Sequence, residues 1–88
     1  MIRKHIVFTG RVQGVGFRWR AEQAAGLYRC TGWCRNEWDG TVTMEIQGVE
    51  EAINRVIRLI ESGRYVRIDR MDVTVLDPVP GERGFSAE

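Results

Sequence analysis

Between Gly10 and Arg20 the chain reads GRVQGVGFRWR, three glycines interleaved with three arginines. Glycine weakens regular structure, so its density beside positive charge asks for a reason. One reason is chemical. Where a strand turns into a helix, Gly14 and Gly16 let successive main-chain N–H groups point inward, and the helix N-terminus adds a partial positive charge. Arg18, in the first helical turn, brings a full charge on a planar fork. Together these features describe an oxyanion site of phosphate size. The other reason is a tight turn surrounded by solvated arginines, and the same residues satisfy both. Two specific motifs drop out: the glycine spacing does not fit the dinucleotide fingerprint, and no Gly-Lys-Ser/Thr follows for a nucleotide-binding loop.

The charge balance singles out the same region. Net charge is only +1, yet up to Asn36 there are seven basic residues against one acidic, and from Glu37 onward six against eleven. Halves so unequal mark the first as the side that receives an anion, unless both simply mix on one folded surface. Twelve of the thirteen cationic side chains are arginine, which suits two-pronged recognition of phosphate or carboxylate.

The chain of 88 residues, 43% hydrophobic and 28% charged, has the composition of an ordinary soluble globule and reads as a single domain over residues 1–88. Its apolar runs are short and MIRKHIVFTG lacks the apolar block of a signal peptide, so no membrane segment and a cytoplasmic location are expected. On one extended strand the Cα atoms of Cys30 and Cys34 would lie roughly 13 Å apart, beyond disulfide reach. With a single histidine they are too few for a zinc site, and buried free thiols are expected.

The elements that must position the glycine stretch follow from periodicity. KHIVFTGRV is β-rich and reads as the first strand. Phe17, Ala21, Ala24, Ala25 and Tyr28 recur at helical spacing. TGWCRN is a short second strand, EWDG carries an Asp-Gly hairpin signal, and TVTMEIQ alternates as the third strand. Gly48 opens a second helix with Glu50 and Glu51 in its first turn and a stripe of Val49, Ile53, Val56, Ile57 and Ile60; Gly63 is placed as its C-terminal cap. MDVTVLDP is the fourth strand. Val66 and Ile68 are out of phase with Met71, Val73 and Val75, which predicts a bulge near Asp69. The tail VPGERGFSAE adds at most a short edge strand.

The order β-α-β-β-α-β predicts an α+β, ferredoxin-like sandwich, an antiparallel sheet of order 4-1-3-2 with both helices on one face. Strands one and two then run parallel with strand three between them, so the glycine loop and Asn36 share one end of the sheet, on the order of 10 Å apart. His5 lies at the opposite end of strand one, roughly 17 Å away, badly placed for a general base.

GRVQGVGFR followed by GWCRNEWDGTV resembles the two signature blocks of the acylphosphatases. The likeness runs on through the second helix and RIDRMDV, over nearly the whole chain in the right order. The resemblance implies a small cytosolic, monomeric enzyme. Its substrate would be an acyl phosphate, hydrolysed to carboxylate and inorganic phosphate by direct water attack, without metal, cofactor or covalent intermediate. It implies that Arg18 holds the phosphoryl group, that Asn36 positions the water, and that the main chain of Gln13, Gly14, Val15, Gly16, Phe17 and Arg18 binds phosphate oxygens. It implies no nucleic-acid and no membrane partner.

Read without that resemblance, Arg18 is a solvated helix arginine and Asn36 a turn former. Asp39-Gly40 is structural, and Trp19, Trp33 and Trp38 are packing or rim residues. RNA-recognition domains share the element order, but here the first strand offers only Phe8 and the third no aromatic on which to stack bases. A non-catalytic binder of phosphorylated ligands would differ only in turnover. Three features depart from the family pattern. Cys34 stands where a β-branched aliphatic is usual, and Glu37 follows Asn36 directly, facing away from it on a regular strand. The tail GFSAE stops short, which puts edge pairing and stability in question.

Overall fold

Alternation along the first strand puts Ile6 and Phe8 on one side, both fully buried, and Arg3, His5 and Val7 on the other. In the computed structural model, which describes all residues from Met1 to Glu88, this strand is β1 (Ile2–Arg11), followed by α1 (Phe17–Leu27), β2 (Thr31–Asn36), β3 (Val42–Gly48), α2 (Glu50–Glu61), β4 (Arg67–Leu76) and β5 (Phe85–Ala87). Ile6 pairs opposite Met44, Phe8 opposite Val42 and Cys34 opposite Met44, so these side chains share one face of the sheet. Against that face pack Phe17, Ala21, Ala24 and Ala25 of α1 and Ala52, Ile53, Val56 and Ile60 of α2, closing a single core. Small residues on α1 let it lie close to the sheet.

The strand order is β4-β1-β3-β2-β5. The first four strands follow the expected 4-1-3-2 arrangement. The fifth lies parallel to β2, with Gly32 beside Phe85 and Cys34 beside Ala87, so the sheet is mixed rather than wholly antiparallel. The short tail therefore does pair with the sheet edge. It is carried there by the segment between β4 and β5, which crosses the helix-free face of the sheet. The buried Gln47 amide bonds the main chain of Val79 in both directions, at 3.0 and 2.7 Å. Arg3, only 3% exposed, donates to Glu82 at 2.7 Å and to Glu45 at 3.0 Å. Burial pushes the Glu82 carboxyl up, but the hydrogen bonds from Arg3 and Thr31 outweigh it and hold the group below its ordinary value.

The bulge appears where the phase change requires it: Thr9 pairs with Arg70 and Gly10 with Ile68, leaving Asp69 over. Two expectations about α2 need correction. Val49 is 60% exposed because it caps the helix in an extended conformation, φ −71° and ψ 145°, and its place in the buried stripe passes to Ala52. Nor is Gly63 a left-handed cap. The helix ends on Ser62 in a right-handed conformation, and a Cβ on Gly63 would stand 2.6 Å from Arg20 Nε, so this glycine is there for close packing.

Candidate active site

The turn between β1 and α1 runs through Gly14 at φ 69° and ends on Gly16 at φ 82°, both in the left-handed region that favours glycine. The first main-chain hydrogen bond of the helix is Arg20 N–H to Gly16 O, at 3.0 Å, and the N–H groups from Gly14 to Trp19 meet no main-chain acceptor. No acidic side chain sits in the first turn of α1, whereas α2 begins with Glu50 and Glu51. The positive end of α2 is compensated; that of α1 is left open. Two fully buried side chains brace the turn, Val12 before it and Phe17 after it, and the Phe17 ring meets Phe8 edge-to-face with centroids 4.9 Å apart.

Asn36, the last residue of β2, pairs opposite Val42 and lies on the same face of the sheet as Cys34, toward the helices. Asp39 builds the hairpin that follows: its Oδ1 accepts from Thr41 N at 3.0 Å and from Thr41 Oγ1 at 2.7 Å. The Gln13 amide then donates to Glu37 O at 2.7 Å and Thr41 O at 2.9 Å, tying the glycine turn to the hairpin. Glu37 is turned to the opposite face and accepts from Arg35 Nε at 2.9 Å, while the Arg35 guanidinium lies 5.0 Å over the Trp33 ring. Hydrogen bonds from Thr43 and Arg35 hold the Glu37 carboxyl below its ordinary value, so its charge is met locally rather than beside Asn36.

These contacts leave a cavity of about 180 Å³ lined by Val12, Gly14, Gly16, Phe17, Arg18, Trp19 and Asn36. Of the expected site residues, Arg18, Asn36, Gly14, Gly16 and Phe17 converge on it. Gln13 and Val15 do not line it: the Gln13 side chain braces the hairpin, and Val15 packs half-buried against the core. His5 is on the helix-free face, its Nδ1 2.9 Å from Glu45 Oε2. Behind the cavity, burial pushes the Cys34 thiol up to about 12, against the opposing pull of Arg18, and both cysteines are free and buried.

One contact has no signature in the sequence. Arg18 Nη1 donates to the main-chain oxygen of Glu88 at 2.6 Å, and Glu88 N–H donates to Cys34 O at 2.8 Å. The residue following β5 thus ties Arg18 to the edge of β2, two residues before Asn36. A guanidinium has five N–H donors, so this bond leaves most of the fork free.

A family model described as Acylphosphatase matches residues 4–87. The chain belongs to the acylphosphatase family. It is 42% identical over 86 residues to the acylphosphatase of Geobacillus thermodenitrificans (strain NG80-2), covering 97% of this chain and 92% of that one. To the acylphosphatase of Clostridium beijerinckii it is 37% identical over 87 residues, covering 98% and 97%. The crystal structure of acylphosphatase from Bacillus subtilis superposes with a TM-score of 0.89 at 30% identity, covering 100% of this chain and 99% of that one. The protein is thus an enzyme with acylphosphatase activity, on a ferredoxin-like fold extended by β5. No helix is long and apolar enough to cross a membrane.

Proposed function

We propose that the cavity at the start of α1 is where this enzyme hydrolyses acyl phosphates, by in-line attack of water without a covalent intermediate. The observation that carries the reading is the meeting of three things around one hollow: unpartnered main-chain N–H groups at an uncompensated helix N-terminus, the Arg18 fork, and the Asn36 amide. The phosphoryl oxygens take the N–H groups and the guanidinium, which offset charge on the equatorial oxygens of the transition state. Asn36, through its carbonyl oxygen, accepts a hydrogen bond from the attacking water and holds it opposite the leaving oxygen. Water's oxygen forms the new P–O bond, the C(O)O–P bond breaks, the electron pair leaves with the carboxylate, and water's proton passes to solvent.

The leaving group explains how so sparse a site suffices. A carboxylate has a conjugate acid of pKa about 4, so it departs without a general acid. A loose transition state in turn asks little of its nucleophile, and orientation by a neutral amide is enough. An alkyl phosphate ester, with a much worse leaving group, falls outside the reach of these groups.

Release of inorganic phosphate from acetyl phosphate tests the reading. Activity is expected to persist with a chelator present and to fall at least about 100-fold in Arg18→Ala, Arg18→Lys and Asn36→Ala, the loss of about 3 kcal/mol that charge-assisted contacts supply. Lysine fails because a point charge does not reproduce a two-pronged hold. Wild-type rates in Asn36→Ala, or hydrolysis abolished by the chelator, would overturn the mechanism.

A further inference from the structure

A second hollow adjoins the cup, and Trp19 is common to both. It lines the phosphate-sized cavity and also a groove of about 130 Å³ between the helices, completed by Arg20, Gln23, Ala24 and Leu27 of α1 and Leu59 of α2. Three large apolar side chains stand in water there: Trp19 is 65% exposed, Leu27 68% and Leu59 36%. Single exposed apolar residues are ordinary; several lining one depression that opens beside a reaction centre are not. Arg20 forms one wall, its stem packed against the buried Gly63, and no carboxylate lines the groove. From Trp19 to Leu27 the floor runs about 12 Å along the helix, at 1.5 Å per residue.

An acyl phosphate presents a tetrahedral head, which the N–H groups and guanidinium of the cup hold, and an acyl group, which projects away from them; Trp19 is the residue that the cup and the groove share. We propose that the groove is an acyl subsite. The hydrocarbon of an unbranched aliphatic acyl phosphate, about four to eight carbons long, leaves the cup over the Trp19 ring and lies along α1 toward Leu27 and Leu59. This assignment rests on reading the cup as the phosphoryl site. Contacts along the chain are made equally in the ground state and the transition state, so they lower KM and leave kcat alone.

The test is a chain-length series of acetyl, butanoyl, hexanoyl and octanoyl phosphate, with kcat and KM measured from phosphate release. Full burial of a methylene is worth about fourfold; in a groove open on one side about half its surface is covered, so kcat/KM is expected to rise about twofold per methylene, roughly 15-fold from acetyl to hexanoyl. The rise is expected in KM. Leu27→Gln and Leu59→Gln, both at exposed positions that the core does not need, flatten the slope. Val75→Gln, at a comparably exposed position on β4 outside the groove, keeps the wild-type slope. A flat series in an enzyme that turns over acetyl phosphate, or a slope that survives both leucine variants, overturns the acyl subsite alone. Absence of turnover for every member overturns the reading of the cup, and the subsite with it.

Discussion

Replacing Gly16 by alanine separates the geometry of the cup from the stability of the fold. Gly16 caps α1 at φ 82°, ψ 12°, and no atom lies within 4 Å of where a Cβ would stand. The added methyl meets no clash, so the cost is conformational: about 1–2 kcal/mol for an L-residue in the left-handed region. That cost can be met in two ways. A loop that holds its shape passes the full amount to the fold, and Tm falls by about 4–8 °C per kcal/mol for a domain of this size. A loop that relaxes to negative φ spares the fold, but the N–H groups of residues 14–19 lose their common aim. No main-chain hydrogen bond is donated by Gly14, Val15 or Gly16 to hold the turn in place, so relaxation is the expected route. Losing two charge-assisted amide contacts at about 1.5–3 kcal/mol each lowers kcat/KM at least about 100-fold, while Tm drops by less than about 5 °C. Gly81→Ala supplies the comparison: φ is 73°, the space is equally open, and the residue lies on the crossing segment away from the cup. It pays the same strain and keeps its activity. The assay is phosphate release from acetyl phosphate beside thermal melts with and without inorganic phosphate, which should protect Gly81→Ala but not Gly16→Ala. Equal activity in the two variants would refute the claim that the loop conformation makes the site.

Truncation after Ala87 removes the oxygen on which Arg18 rests and the Glu88 N–H to Cys34 O bond, and keeps the rest of the β5 pairing. It is expected to change stability by about 1–3 kcal/mol, the net worth of two hydrogen bonds, while kcat falls about tenfold as the fork loses its anchor; unchanged kinetics would show that β5 does not position Arg18. The Arg3–Glu82 pair sets an acid limit: Glu82 is held below its ordinary 4.5, so its contribution is complete above that value and is lost as pH falls through the lower folded-state value. Glu82→Gln should lower Tm at pH 7 and make little difference near pH 2, in thermal melts at both. No carboxylate, imidazole or thiol lines the cavity, so kcat is expected to be flat from about pH 5.5 to 8.5; a bell centred near neutrality would demand a general acid–base group.

What the sequence made legible was whatever has a local cause. The hairpin after Asn36 follows from Asp39 and Gly40, the bulge at Asp69 from a change of phase, and the left-handed turn from glycines placed two apart. The charge split pointed to the end of the molecule where the Arg18 cavity lies for the same reason: Arg18 and the absence of acids before Glu22 are local facts. The misreadings share the opposite character. Val49 continues the helical stripe in spacing, and only the extended conformation at the cap takes it out of the core. Gly63 looks like a left-handed cap because it follows a helix, yet its φ is not left-handed and the space for a Cβ is taken by Arg20, forty-three positions earlier, and by Val66. The hold of Glu88 on Arg18 spans seventy residues, and nothing in GFSAE announces it.

The contrast between the two helices explains why the cup falls where it does. Both begin at the end of a strand and both expose main-chain N–H groups, so either could attract an anion. At α2 the chain spends Glu50 and Glu51 on that end, and Val49 enters extended. At α1 the first turn instead carries Phe17, Arg18 and Trp19, none able to accept from the N–H groups, while of the two acidic side chains on the hairpin Glu37 is bound to Arg35 on the other face and Asp39 to Thr41. A fold that leaves one helix start unsatisfied, then surrounds it with a fixed cation and a neutral amide, forgoes local stability there. On the proposed reading, that cost is recovered when a tetrahedral dianion arrives, and most fully when its charge is spread over the equatorial oxygens. The proposed selectivity for a substrate with a good leaving group then needs no recognition element of its own, because the sparse set of groups assigned to the head offers nothing to assist a poor one.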